Sequence, residues 1–180
     1  SYEQKQERIS FSEQTEDMLL FIFALLVVMR DYDMTDYEGV KQQLIAQYTL
    51  VIGQYATIDD YLTDYIESFA SDFIETTGEN IDVEWFLSDD SAMFDAENEA
   101  NSVLNYKDYV NAIASGKTRK EWVTFRDSRV RKTHRAVEGK IIPITSTFEV
   151  GDSLMKFPKD LSLGAKPKET INCRCSVRYI

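Results

Sequence analysis

Between residues 10 and 77 the apolar side chains recur at three- and four-residue spacing, the period of a helix with one buried face. Val40, Leu44, Ile45, Tyr48, Val51, Ile52 and Tyr55 form one such stripe. Tyr61, Leu62, Tyr65, Ile66, Phe69 and Phe73 continue it after a break near Thr57-Ile58-Asp59. Upstream, Ser10–Asp17 supplies hydroxyl and acidic residues suited to a helix start, and Met18–Met29 follows as an unbroken apolar run that predicts a fully buried helix. The segment Asp31–Asp36 interrupts the pattern and offers Thr35 or Asp36 as a new N-cap, while Gly78 is placed to end the third helix. The reading is three helices, acidic outside and aromatic inside. A further helix is expected over 94–114, ending at Ser115-Gly116. Tyrosines at helical spacing are read as packing between helices, because an aromatic with one polar tip fits that role.

The pattern changes at Gly116. Residues 116–140 are basic, with apolar positions that follow neither a helical nor an alternating period. From Gly139 onward lie all three prolines, Pro143, Pro158 and Pro167, together with Gly151 and Gly164. Between these breakers sit two β-branched or aromatic runs, residues 141–150 and 171–180, which read as short antiparallel strands. The expected fold class is α+β: an acidic helical region over 1–93, followed by a small α+β domain over 94–180 with a short antiparallel sheet. No internal repeat and no low-complexity tract is visible.

Composition adds a division of charge. The chain has 180 residues, 43% hydrophobic and 28% charged, ordinary for a globular protein large enough to bury a core. Its net charge of −11 hides two opposite halves. From Lys117 onward there are 15 Lys and Arg against 7 Asp and Glu, whereas the first 116 residues hold 5 against 24. Such asymmetry suits either two faces with different partners or two halves that attract each other. Met18–Met29 is twelve residues long, too short to cross a bilayer, which takes about 20. The acidic stretch before it and the lack of a small-residue cleavage site are unlike a signal peptide, so no membrane partner is expected. Because the first residue is Ser1, the chain is expected to be a processed product or a piece of something longer.

Candidate chemistry is confined to the basic half. Lys117, Arg119, Lys120, Arg126, Arg129, Arg131, Lys132 and Arg135, interleaved with Trp122 and Phe125, could neutralise phosphates along double-stranded DNA. The same charges could equally form a solvated face docked on acidic helices. The single histidine, His134, lies among cations, which disfavours its protonated form and suits a ligand or a base. Asp127, between Arg126 and Arg129, reads as an ion-pair hub. The only cysteines, Cys173 and Cys175, cannot build a secretory disulfide framework and point to synthesis in a reducing cytoplasm. If residues 171–177 form a strand, both thiols point to one face while Asn172, Arg174 and Ser176 point to the other. Together with His134 and a fourth ligand such as Asp127 they could bind zinc. Alternatively they are two small side chains filling a tight inward face, with no cofactor at all.

The ordered set Lys120-x-Trp122, Asp127-x-Arg129-x-Arg131-x-x-His134, Val137-x-Gly139, Phe148, Pro158 and Asn172-Cys173-Arg174-Cys175 resembles the phage Mu F-like family over about residues 95–178. The resemblance implies a minor capsid or head-morphogenesis protein of a tailed phage or prophage, made in the bacterial host cytoplasm and carried in few copies inside the virion. Its implied partners are the portal protein and packaged DNA. On this reading Trp122, Asp127, His134, Gly139, Asn172, Cys173 and Cys175 are a structural motif and no residue is catalytic. The family often carries Arg-Thr-Glu ahead of the tryptophan block, where this chain has Glu97-Asn98-Glu99. Small RNase-like toxins have been compared with the fold, which supplies a rival function. In that rival His134 would be the general acid or base, Arg131 or Arg129 would stabilise phosphorane charge, and Glu138 or Thr147 would be the partner. A stand-alone DNA-binding accessory domain is the third reading.

Overall fold

The computed structural model describes residues 2–180, and the chain divides into two compact units, Ser1–Ala100 and Asn101–Ile180. The first unit is helical: α1 Tyr2–Asp31, α2 Tyr37–Gly53, α3 Asp60–Glu79, a 3₁₀ turn at Glu84–Leu87, and the opening turns of α4, Asp89–Ala114. The boundary between the units falls within α4. The second unit adds β1 Arg119–Val123, the single-turn helix α5 Lys132–Arg135, β2 Ile141–Pro143, β3 Phe148–Val150, β4 Ser153–Met155, the single-turn helix α6 Pro167–Thr170 and β5 Ser176–Tyr179. The fold is therefore α+β, with helices first and short antiparallel sheets after.

In the helical unit the predicted stripes become the core. Leu44, Tyr48 and Ile52 of α2 and Leu62 and Ile66 of α3 are buried with Phe11, Leu19, Ile22 and Leu26 of α1. Each such apolar side chain contributes about 1.5–3 kcal/mol relative to remaining in water. Asp36 caps α2 by accepting the Gly39 N–H at 3.0 Å, and Asp59 caps α3 by accepting the Leu62 N–H at 3.0 Å. The tyrosines pack as read, and their hydroxyls converge on one carboxylate. Tyr48 and Tyr65 both donate to Glu99 Oε2, at 2.6 and 2.7 Å. Burial and the charge of Glu99 push the Tyr48 phenol well above its ordinary value.

Three helix expectations need correction. α1 does not begin at Ser10–Asp17 but runs through it, because Phe11 and Thr15 face the core and extend the same stripe. Met18–Met29 is not buried on all sides. Phe21, Ala24 and Val28 form an exposed line at helical spacing, so an all-apolar run has one face in the core and one outside it. α3 ends at Glu79 with Asn80 as its cap, and Gly78 instead lies where an added Cβ would stand 3.3 Å from the Tyr37 ring.

In the second unit β1 is the central strand of an antiparallel sheet in the order β2-β1-β5, with Lys120 opposite Ile142 on one side and Trp122 opposite Val177 on the other. β3 and β4 form a separate hairpin. Alternate positions of β1 face inward, and these are Lys120 and Trp122. A lysine at an inward position breaks the apolar alternation, which is why no strand was legible in the basic segment. The run 141–150 is split by a turn into β2 and β3. Residues 171–175 are not a strand: Asn172 adopts a left-handed φ of 56°, which asparagine tolerates, and pairing starts only at Ser176. Trp122, Val137, Phe148, Val150, Met155, Ala165, Cys173 and Cys175 make one buried cluster.

Candidate functional site

The cluster has a polar centre at His134. The one-turn helix α5 delivers this histidine into the core, where it is 1% exposed and meets the Trp122 ring edge-on at 5.7 Å. Its Nδ1 lies 3.4 Å from Cys175 Sγ and 3.5 Å from Cys173 Sγ. Its Nε2 lies 3.1 Å from Glu169 Oε2, and the Thr133 hydroxyl donates to that same oxygen at 2.7 Å. Both ring nitrogens of one buried imidazole are thus engaged.

The thiols reach the histidine because a tight turn precedes β5. Both side chains of the C-x-C pair turn inward from a loop whose backbone is held on several sides. Asn105 on α4 donates its amide to the carbonyl oxygens of Cys175, at 3.1 Å, and of Pro158, at 3.3 Å. Arg131 donates to the Ile171 carbonyl. Arg174 grips Asp127 with its Nη2 at 2.8 Å from each carboxylate oxygen and stacks over Phe125 at 4.8 Å. The hydrogen bond from Cys175 to Cys173, aided by His134, holds the Cys173 thiol well below its ordinary value against the opposing effect of burial. Cys175 is pushed up in turn, by its hydrogen bond with Cys173 and by burial. Nδ1 of His134 and the two sulfurs lie within 4.8 Å of one another and are the atoms here that could share a metal ion.

The residues named from sequence divide into several roles. Asp127 is an ion-pair hub, as read, but its main partner is Arg174 from the C-x-C segment, with Arg129 looser at 3.6 Å. The Arg174 hydrogen bond is also the chief cause that lowers the Asp127 carboxyl. Asp127 is therefore not the fourth member of the His134 group. Glu138 caps the loop after β1, accepting Thr124 N–H at 2.6 Å and Arg126 Nε–H at 2.8 Å. Neither Glu138 nor Thr147 lines the small cavity beside His134. Gly139 has a left-handed φ of 72° and returns its N–H to the Trp122 carbonyl.

Among the cations, Lys117, Arg119, Arg126, Arg129, Lys132 and Arg135 are exposed and Arg131 is half-buried. Lys120 is a correction, because it is fully buried and cannot meet a phosphate. Its ammonium donates to the Lys156 carbonyl at 2.6 Å and lies over the Tyr109 and Phe148 rings. Burial lowers its pKa from 10.5 to about 8, although Asp160 opposes the shift. Unfolding restores the ordinary value, so the folded state holds fewer protons between the two. Stability should therefore rise as pH climbs from about 8 to about 10.5, by on the order of 2–3 kcal/mol. Urea unfolding at both ends of that window checks it: Lys120→Met should lose this part of the rise.

Sequence reasoning missed Glu169. It follows Lys166 and Lys168, where a glutamate reads as a solvated charge, yet it is 3% exposed. Gly151 makes room for it: at φ 60° its missing Cβ would stand 2.6 Å from Glu169 Oε1. The glycine directly after the strand Phe148–Val150 was the one available signal.

No curated protein and no solved structure matches the chain. A family model described as phage Mu protein F like protein matches residues 70–178, which takes in the whole His134 cluster and starts earlier than the motif block at about residue 95. That match covers more than half of the chain, which therefore belongs to the phage Mu F-like family of head-morphogenesis and minor capsid proteins.

Proposed function

We propose that the chain is a minor capsid protein of a tailed phage or prophage, located inside the virion, whose C-terminal unit meets packaged DNA and whose helical unit meets the portal. The observation that carries the reading is the family match over residues 70–178. Members of the family are generally structural and not enzymatic. The exposed cations Lys117, Arg119, Arg129 and Lys132 support the DNA contact. They stand on loops, at the start of β1 and at the first position of α5, where they suit contact with a phosphate backbone. The acidic surface of the first unit disfavours DNA. Its exposed apolar line at Phe21 and Val28, each about half exposed, suits a protein partner instead.

The rival nuclease reading fares worse on geometry. A general acid or base must reach the proton that it transfers. His134 is buried, with Nε2 against Glu169 and Nδ1 against two sulfurs. Arg131 is engaged with a backbone carbonyl.

A gel shift on double-stranded DNA over a salt series tests the DNA contact, with the nucleic acid re-run afterwards for cleavage. Binding should weaken steeply with salt and leave the DNA intact. Arg129→Ala with Lys132→Ala should reduce the slope of log K against log salt by about 2, since each phosphate contact contributes about 0.9. No binding at low salt would remove DNA from the reading. Cleavage lost in His134→Ala would replace the reading with a nuclease. Co-purification with a portal ring tests the other partner.

A further inference from the structure

We propose that His134 Nδ1, Cys173 Sγ and Cys175 Sγ bind one zinc ion, with Glu169 orienting the histidine and a fourth coordination position opening into a small arginine-rimmed cavity. This site does not depend on the capsid reading, and the spacing of its atoms is the first support for it. Tetrahedral zinc with Zn–N near 2.0–2.1 Å and Zn–S near 2.3 Å places nitrogen and sulfur about 3.6 Å apart. Nδ1 stands 3.4 and 3.5 Å from the two sulfurs, and all three atoms lie within 4.8 Å of one another. Both nitrogen–sulfur separations are close to what a shared ion requires.

Hydrogen bonding around the imidazole also favours a metal. A neutral ring carries one proton, and a metal-bound histidine usually gives it to a carboxylate behind the ring. Glu169 Oε2 occupies that place, 3.1 Å from Nε2, in a pocket where both side chains are almost wholly buried. With the proton on Nε2, the Nδ1 lone pair faces the sulfurs. Without metal its only donor there is a thiol, a weak one. Among the described residues the Trp122 indole N–H is buried without a hydrogen-bond partner. A zinc-bound thiolate would be a better acceptor for it than a thiol.

Soft sulfur with imidazole selects zinc over magnesium or calcium, which prefer oxygen. Three protein ligands leave one position to fill. Beside the group is a cavity of about 20 Å³ lined by His134, Cys173 and Cys175 and rimmed by Arg129, Arg131 and Arg174. That is room for one water molecule. The rim cations suit a bound hydroxide or another small anion there.

The test uses the full chain, reduced and stripped with a chelator, titrated with zinc or cobalt(II). The expected result is one metal per chain, sulfur-to-cobalt charge-transfer absorption, and protection of both thiols from alkylation. Cys173→Ser and Cys175→Ser should each weaken binding at least 100-fold. Glu169→Gln should weaken it about 10–100-fold with the stoichiometry unchanged. Absence of stoichiometric binding by the wild-type chain, or thiols alkylated equally fast with and without zinc, would overturn the proposal. So would unchanged affinity in the double serine variant. Because the alkylation readout uses wild-type protein, it decides the matter even if a variant fails to fold.

Discussion

Trp122→Ala should lower the unfolding free energy of the C-terminal unit by about 3–5 kcal/mol, the range for deleting a large aromatic from a packed core. Trp122 is fully buried at the middle of the central strand. Its ring meets Phe148 at 5.1 Å and His134 at 5.7 Å, both edge-on, and both contacts disappear with the side chain. Those neighbours are held by separate backbone elements, so the space cannot close by a simple shift of one loop. Urea unfolding followed by circular dichroism and by thiol accessibility checks this. The helical signal of the first unit should persist while Cys173 and Cys175 become reactive at lower urea. A loss of less than 1 kcal/mol would mean that the cluster collapses around the gap and that Trp122 is not its keystone.

Glu169→Ala should cost about 3 kcal/mol when measured with a chelator present, so that metal makes no contribution. The buried His134 Nε2 and the half-buried Thr133 hydroxyl lose their shared partner, and stranding a buried polar group is expensive. Glu169→Gln keeps the shape and one acceptor and should cost only about 1 kcal/mol. Gly151 supplies a second arm. Gly151→Ala places a methyl group against the carboxylate and adds left-handed backbone strain, for a loss of roughly 2 kcal/mol. Combined with Glu169→Ala it should be less than additive, because the alanine at 169 removes the atom that the new methyl group strikes. Full additivity would show that Glu169 and Gly151 are not in contact in solution.

Much of the helical half was legible because its physics is local. The stripe from Val40 to Ile52 specifies a face, Asp36 and Asp59 specify starts, and none of these depends on distant residues. One error in that half concerns sidedness, and the other two concern where helices begin and end. A run such as Met18–Met29 looks the same from sequence whether one face or all of it is buried, since hydrophobicity does not say how many neighbours will arrive. The β half was harder for the opposite reason. β1 carries Lys120 inward, and only the Lys156 carbonyl and the rings of Tyr109 and Phe148 make that tolerable. Each partner lies on a different segment.

By itself, then, the sequence determined the α+β class, the helical stripes and the start of α2, the charge division, and the family through its ordered tryptophan, histidine and Asn-Cys-Arg-Cys residues. Only the tertiary structure decided that the thiols come from a turn, that Arg174 and not a neighbour in sequence holds Asp127, that Lys120 leaves the surface, and that Glu169 stands behind His134. The physical reason is distance along the chain. Periodicity and capping act within a few residues, whereas His134 meets Glu169 across 35 positions and Cys175 across 41. Such meetings depend on the whole set of strands and turns closing together.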